Sequence, residues 1–258
     1  MKNNNKFRLD VWGAITLGTI ALYALFLLYP MAYLIRQSVL DPDTGSFTLA
    51  YFTKFFSKSY YFDTLINSFK VSITATVLSI AIGTPLAYLF TIFKIKGKSV
   101  LNILIVVASM SAPFIGAYSW ILLLGRSGII TTFFKNLGIA IPDIYGFGGI
   151  VLVMTLQLFP LVFLYAKGAL KNIDNSLIEA AENLGCSGIV CFFKVVVPLI
   201  MPTLLAAALL VFMRSFADFG TPMLIGEGYR TFPVVLYTEF INEVGGSDGF
   251  AAAIAVLA

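Results

Sequence analysis

The chain has 258 residues, 59% of them hydrophobic and only 12% charged, with a formal net charge of +4. Soluble domains carry about 25% charged residues, so the composition argues against a soluble enzyme or a nucleic-acid-binding domain and for an all-α polytopic membrane protein. There is no histidine, which removes histidine metal ligands and Ser-His triads; the two cysteines, Cys186 and Cys191, lack metal-ligand spacing and read as reduced, packed thiols.

Residues 1–10 are polar and basic and precede an apolar run from Val11 to Ile35. That run exceeds the roughly 7–15 residues of a signal-peptide core, and Tyr29-Pro30-Met31 offers no cleavage site. It reads as an uncleaved first span with a cytoplasmic N-terminus. Arg36 to Ile66 reads as an outer loop with a turn at DPDTG and a Phe- and Tyr-rich strand or helix on the membrane face. The second span is expected from Leu65 to about Phe93, where Gly83 and Pro85 allow close packing and a kink. KIKGK, residues 94–98, is a basic cytoplasmic turn; the basic residues assigned outside, Lys70 and Arg126 among them, are scattered.

A third span is expected over Val100 to Leu124, with Pro113 near its middle. An outer loop from Gly125 to Phe147 has turn signals at Gly128, Gly138 and Pro142. The fourth span runs from Gly148 to about Ala169 and the fifth from about Leu199 to Phe219, followed by an outer loop to Asp248. Residues 249–258 open a sixth span but fall short of the roughly 20 residues a crossing needs. The expectation is therefore about six spans, the last truncated. Residues 1–60 form the tail, first span and outer loop; 61–258 form one larger domain, incomplete at its C-terminus.

Between spans four and five lies a cytoplasmic loop, 170–198. Ser176 and Glu179 have capping-box spacing, Asp174 places negative charge at the helix start, and Gly185 is a natural C′ residue after Leu184. Pro198 and Pro202 punctuate the way into the fifth span. Leu177, Ile178, Ala181 and Leu184 form an apolar stripe, with Glu179, Glu182 and Asn183 off it, as in a helix that docks into a partner's groove. The bland alternative is a capped helix with no partner.

Further on, FMRSFADFGTPML places Arg214 and Asp218 four residues apart near the outer end of the fifth span. They can share a helix face and line the outer mouth of a pathway for a charged solute, since charges in spans are costly and face a pathway or partner. The alternative has Arg214 snorkelling to headgroups and Asp218 in the loop.

The string Glu179-Ala180-Ala181, with Gly185 four residues later and Pro202 in the apolar run beyond, resembles the EAA loop of type I ABC importer permeases. The resemblance implies that this helix couples to a cytoplasmic ABC ATPase dimer, which binds the ATP and Mg; the chain itself has no P-loop and is not an enzyme. It also implies an extracytoplasmic solute-binding protein, a second permease half (in the same polypeptide or as a second copy), membrane lipid around the spans, no nucleic acid, and a bacterial inner-membrane location. The stretch from Thr64 to Phe90 resembles the start of the permease domain. SFADFGTPMLIGEGYRTFPVVLYTEF is similar to the ferric-iron branch, whose wider kin carry phosphorylated sugars, phosphonates and polyamines. In all, the likeness covers roughly residues 60–258. Ferric iron is the favoured cargo and those other solutes the alternatives. No internal repeat is visible, so a tandem pair of halves is implied by the resemblance alone. A secondary transporter is the rival class; its mark would be inverted repeats with helices broken at mid-membrane, or acidic coupling residues in the spans. A membrane-embedded enzyme would need a nucleophile–base or metal constellation, which the sequence lacks.

Overall fold

A computed structural model of the chain describes residues 11–41, 45–93, 96–110, 112–139, 142–186, 188–241 and 248–257. The basic N-terminal tail, most of the DPDTG turn, the first two residues of KIKGK and residue 258 lie outside them. The described residues are helical nearly throughout, with one isolated antiparallel bridge, Leu40 to Phe47. Five stretches are long and apolar enough to cross a membrane: Val11–Val39, Ser59–Ile92, Phe114–Asn136, Phe147–Lys171 and Gly188–Phe216.

The chain divides into two compact units. The first comprises residues 1–62 and 236–258. Its helix α1, Val11–Tyr23, continues through a π-helical turn, Ala24–Leu28, into α2, Tyr29–Val39. The Tyr29 N–H reaches back five residues to the Ala24 carbonyl. The cause lies at Pro30, which has no N–H and whose ring pushes away the carbonyl four residues earlier. The aromatic stretch expected on the membrane face forms a short helix, α3, Ala50–Ser57. A C-terminal helix, Asp248–Leu257, packs against α2 and α3. Gly249 there lies so close to the Tyr51 ring that a Cβ would come within 2.6 Å of it.

The second unit spans residues 63–235. Helix α4, Ser59–Ile92, starts before the expected Leu65 and carries Lys70 well inside the helix rather than in a loop. Much of its buried surface is small residues, Ser68, Ser72, Ala75, Ser79, Gly83 and Ala87, beside the larger Val71 and Phe90. Such a face lets two backbones approach: a Cβ on Gly83 would sit 2.9 Å from the Phe159 carbonyl and from Val162. Those residues belong to α8, Phe147–Lys171. Phe90 meets Phe163 edge-on at 5.1 Å, and Val162, Ala166, Phe192, Val196 and Ile200 complete one core.

The expected third span is in two pieces, α5, Lys98–Ser109, and α6, Pro113–Leu124. Pro113 does not kink a continuous helix. It starts a new one, because the residue before a proline is driven out of the α region and Ala112 is extended at ψ 141°. After a turn at residues 125–128, α7 follows, Ile129–Asn136. The fifth span starts at Gly188, not Leu199. It runs through α10, Gly188–Cys191, a second π-helical turn, Phe192–Val196, and α11, Val197–Phe216. Here the Val197 N–H bonds to the Phe192 carbonyl, again with a proline, Pro198, just beyond. The π-turn absorbs that proline, so the helix begins before the entry point that the sequence suggested. Pro202 lies inside α11. Two shorter helices complete the order, α12, Gly220–Ile225, and α13, Phe232–Ile241, making the Asp248–Leu257 helix α14.

Candidate functional site

Two sites are built from the residues singled out by sequence, both in the second unit. The first is α9, Asn175–Asn183. Its N-terminal acceptor is Asp174, not the expected Ser176: the Ser176 N–H donates to the Asp174 carboxylate at 3.0 Å. Asp placed two residues before the donor offers its side-chain oxygen directly, so the Ser176–Glu179 box is not needed. That hydrogen bond holds the Asp174 carboxyl below its ordinary pKa. At the other end Gly185 adopts φ +84°, and the Cys186 N–H donates to the Ala181 carbonyl at 3.0 Å. This is the six-to-one bond of a Schellman stop, and glycine accepts the left-handed conformation without steric cost.

Thus α9 is a helix of about 13 Å fixed at both ends. Ala180 is exposed, Ala181 half-buried and Glu179 exposed. The expected single apolar stripe divides. Ile178 and Ala181 turn partly inward, while Leu177 is 50% and Leu184 88% exposed. Past Gly185, Ile189 and Phe193 add 77% and 64% exposure. Cys186 is half-buried and Cys191 buried. Pro202 lies further along, exposed on α11, and does not join this cluster.

The second site surrounds Arg214 and Asp218. The two do not share a helix face, because α11 ends at Phe216. Asp218 instead caps α12. One carboxylate oxygen accepts from the Gly220 N–H at 2.9 Å and the Thr221 N–H at 3.3 Å, and the other accepts from the Thr221 hydroxyl at 2.7 Å. Short polar side chains favour this local role over a distant partner. Arg214 is exposed and makes no ion pair with it; among the described residues the ion pairs are those of Arg126. Both residues line a recess of about 470 Å³ with Ser109, Phe114, Gln157, Leu158 and Phe219. The recess lies where α5 gives way to α6 and α11 to α12. Helices broken part-way along are therefore present in the structure; they are one part of the mark assigned to the rival class, whose other part is an inverted repeat.

Sequence reasoning missed a third cluster. Arg126 donates to both carboxylate oxygens of Glu227 at 2.7 and 2.8 Å and to Asp143 at 3.1 Å. Its guanidinium lies 4.8 Å from the centre of the Tyr145 ring. Glu227 takes φ +48° to do so, between Gly226 and Gly228. The only sequence signal was that Gly-Glu-Gly turn. Among the described residues no group of three or more His, Cys, Asp or Glu side chains could hold a metal.

Comparisons with known proteins separate the classes that broken helices leave open. The chain is 28% identical over 231 residues to the putative ferric transport system permease protein FbpB 1 of Haemophilus influenzae, covering 89% of this chain and 36% of that protein. It is 28% identical to the ferric transport system permease protein FbpB of Actinobacillus pleuropneumoniae, covering 96% and 35%. It thus spans about a third of the length of these two relatives. It is also 29% identical to the spermidine/putrescine transport system permease protein PotB of Haemophilus influenzae, covering 97% of this chain and 89% of that one. In fold it is similar to a chain of a bacterial alginate ABC transporter solved in complex with an alginate pentasaccharide-bound periplasmic protein. The TM-score is 0.75 at 16% identity, covering 96% of this chain and 88% of that one. Residues 46–258 match the model of the binding-protein-dependent transport system inner membrane components, and the chain belongs to that family.

Proposed function

We propose that this chain is a translocating half of an ATP-driven importer for ferric iron, receiving its cargo from an extracytoplasmic binding protein. The single observation that carries the importer reading is α9: a short helix, fixed at both ends, that leaves Leu177 and Leu184 exposed beyond the spans. A helix that leaves such side chains uncovered is suited to a groove on a partner. The partner is a cytoplasmic ATPase dimer, which binds ATP and Mg, and Glu179, Ala180 and Ala181 form the docked surface. Gly185 fixes the exit from α9, and Pro202 lies in the span that carries its motion. The N-terminus is then cytoplasmic, and a second permease half, in the same polypeptide or as a second copy, completes the pathway. Alternating access follows when ATPase closure displaces α9.

Iron as cargo rests on the two ferric relatives. A polyamine, suggested by PotB, is less well served: a polycation needs carboxylates, and the recess offers one, Asp218, already bound to Thr221 and Gly220. The test is ATP-dependent uptake of labelled ferric iron and of labelled spermidine into vesicles holding the transporter with its binding protein and ATPase. Saturable iron uptake without spermidine uptake supports the assignment; the reverse overturns it.

A further inference from the structure

The recess beside Arg214 has a chemistry that the ferric reading does not supply. Arg214 has no hydrogen-bond or salt-bridge partner among the described residues. An unpaired guanidinium at the end of an apolar span is costly and marks a pathway or partner. Asp218, the one carboxylate in the lining, has three donors on its two oxygens, all from the start of α12. In the same lining, the side-chain amide nitrogen of Gln157 is buried with no partner. Ser109, also in the lining, gives its proton to the Val106 carbonyl. Two unpartnered donors thus belong to the lining, the charged Arg214 fork and the Gln157 amide nitrogen.

Gln157 is ten residues into α8, about 15 Å from its Phe147 end. Arg214 lines the same recess. The walls between them are apolar, Phe114, Leu158, Ala217 and Phe219, and a low local dielectric strengthens an interaction with a charged guest.

We propose that this recess binds an oxyanion group of the solute, a carboxylate or phosphate, with Arg214 as the charged donor and Gln157 as the neutral one. The inference rests on the importer reading and specifies what that importer passes. Ferric iron prefers hard oxygen ligands; a bare cation is repelled by Arg214, so iron passes this point ligated by oxyanions. A free polyamine is repelled in the same way.

The test uses the complete transporter, purified with its ATPase. Binding of radiolabelled inorganic phosphate and of radiolabelled citrate is measured by equilibrium dialysis, alongside ATP-driven uptake in proteoliposomes with the binding protein. At least one of the two anions binds saturably, and which one separates the phosphate source from the carboxylate source. Arg214→Gln weakens that binding about tenfold or more, as expected for loss of a charged hydrogen bond. Arg214→Lys restores part of it, because lysine keeps the charge without the planar fork, and partial restoration also shows that the loss is not misfolding. Gln157→Leu weakens it less. No binding of either anion, or unchanged binding in Arg214→Gln while wild-type uptake is intact, overturns the recess assignment and leaves the importer reading standing. Arg214-dependent anion binding without any ATP-driven uptake supports the recess and contradicts the importer reading.

Discussion

The Cys186 N–H and the Ala181 carbonyl, 3.0 Å apart, set where α9 stops. The bond forms only because Gly185, between them, takes φ +84°. A Cβ at Gly185 meets no neighbour, so the constraint there is conformational and not one of space. Gly185→Val should cost roughly 1–2 kcal/mol of local strain and turn the chain out of α9 at the wrong angle. The protein should still reach the membrane at normal abundance while transport falls sharply. Wild-type transport in Gly185→Val would show that the angle at which the chain leaves α9 is immaterial.

At the opposite end, Asp174 is the cap, so Asp174→Ala should fray α9 more than Ser176→Ala, which keeps the backbone bond and loses only the hydroxyl's bond to Asp174. Amide exchange at Ser176 and Leu177 reports this. The folded-state pKa of Asp174 is lowered by the Ser176 hydrogen bond. Its contribution is therefore present above the unfolded carboxyl pKa and is lost as pH falls through the lowered one. Protection of these amides should therefore hold in mild acid and fall only below about pH 4 in the wild type, and be insensitive to that change in Asp174→Asn.

The contact between α4 and α8 depends on Gly83. Any side chain there must displace the Phe159 carbonyl and Val162, each 2.9 Å from a Cβ. Gly83→Val should destabilise the fold by roughly 1–3 kcal/mol and lower the amount of folded protein, measured by detergent-extracted yield and unfolding midpoint. A polar-face control, Thr74→Val, whose hydroxyl only bonds back to the Lys70 carbonyl, should behave as wild type.

Orientation is tested by thiol labelling. Cys186 is half-buried and Cys191 buried, so an impermeant reagent should modify Cys186 from the cytoplasmic side and leave Cys191 untouched. A cysteine placed at Asp143, which is exposed, should label from outside in a Cys-free background. Labelling of both from one side would overturn the topology.

Much of this was legible because it is local. Span four was found within two residues of α8, since a run from Gly148 to Ala169 that is apolar but for Thr155, Gln157 and Lys167 leaves few readings. Gly185 was found because a glycine after a helical pattern has a definite steric meaning. Features that depend on distant neighbours or on competing local bonds were not legible. Pro198 read as punctuation at the entry to the fifth span, and only the folded chain shows a π-turn carrying the helix into it from Gly188. Arg214 and Asp218 looked like a pair by spacing, but Thr221 and Gly220 are nearer partners for a carboxylate at a helix start. Arg126 and Glu227 are 101 residues apart, beyond any periodicity argument.

The central claim is that α9 transmits ATPase motion to the spans. Glu179 is exposed on it, and the N-terminal cap does not use its side chain, so Glu179→Lys alters the docking surface without removing the cap. The decisive measurement is binding-protein-stimulated ATP hydrolysis and cargo uptake by the reconstituted Glu179→Lys transporter, alongside its abundance in the membrane. The account predicts normal abundance with both activities lost together. Normal hydrolysis and normal uptake would contradict it.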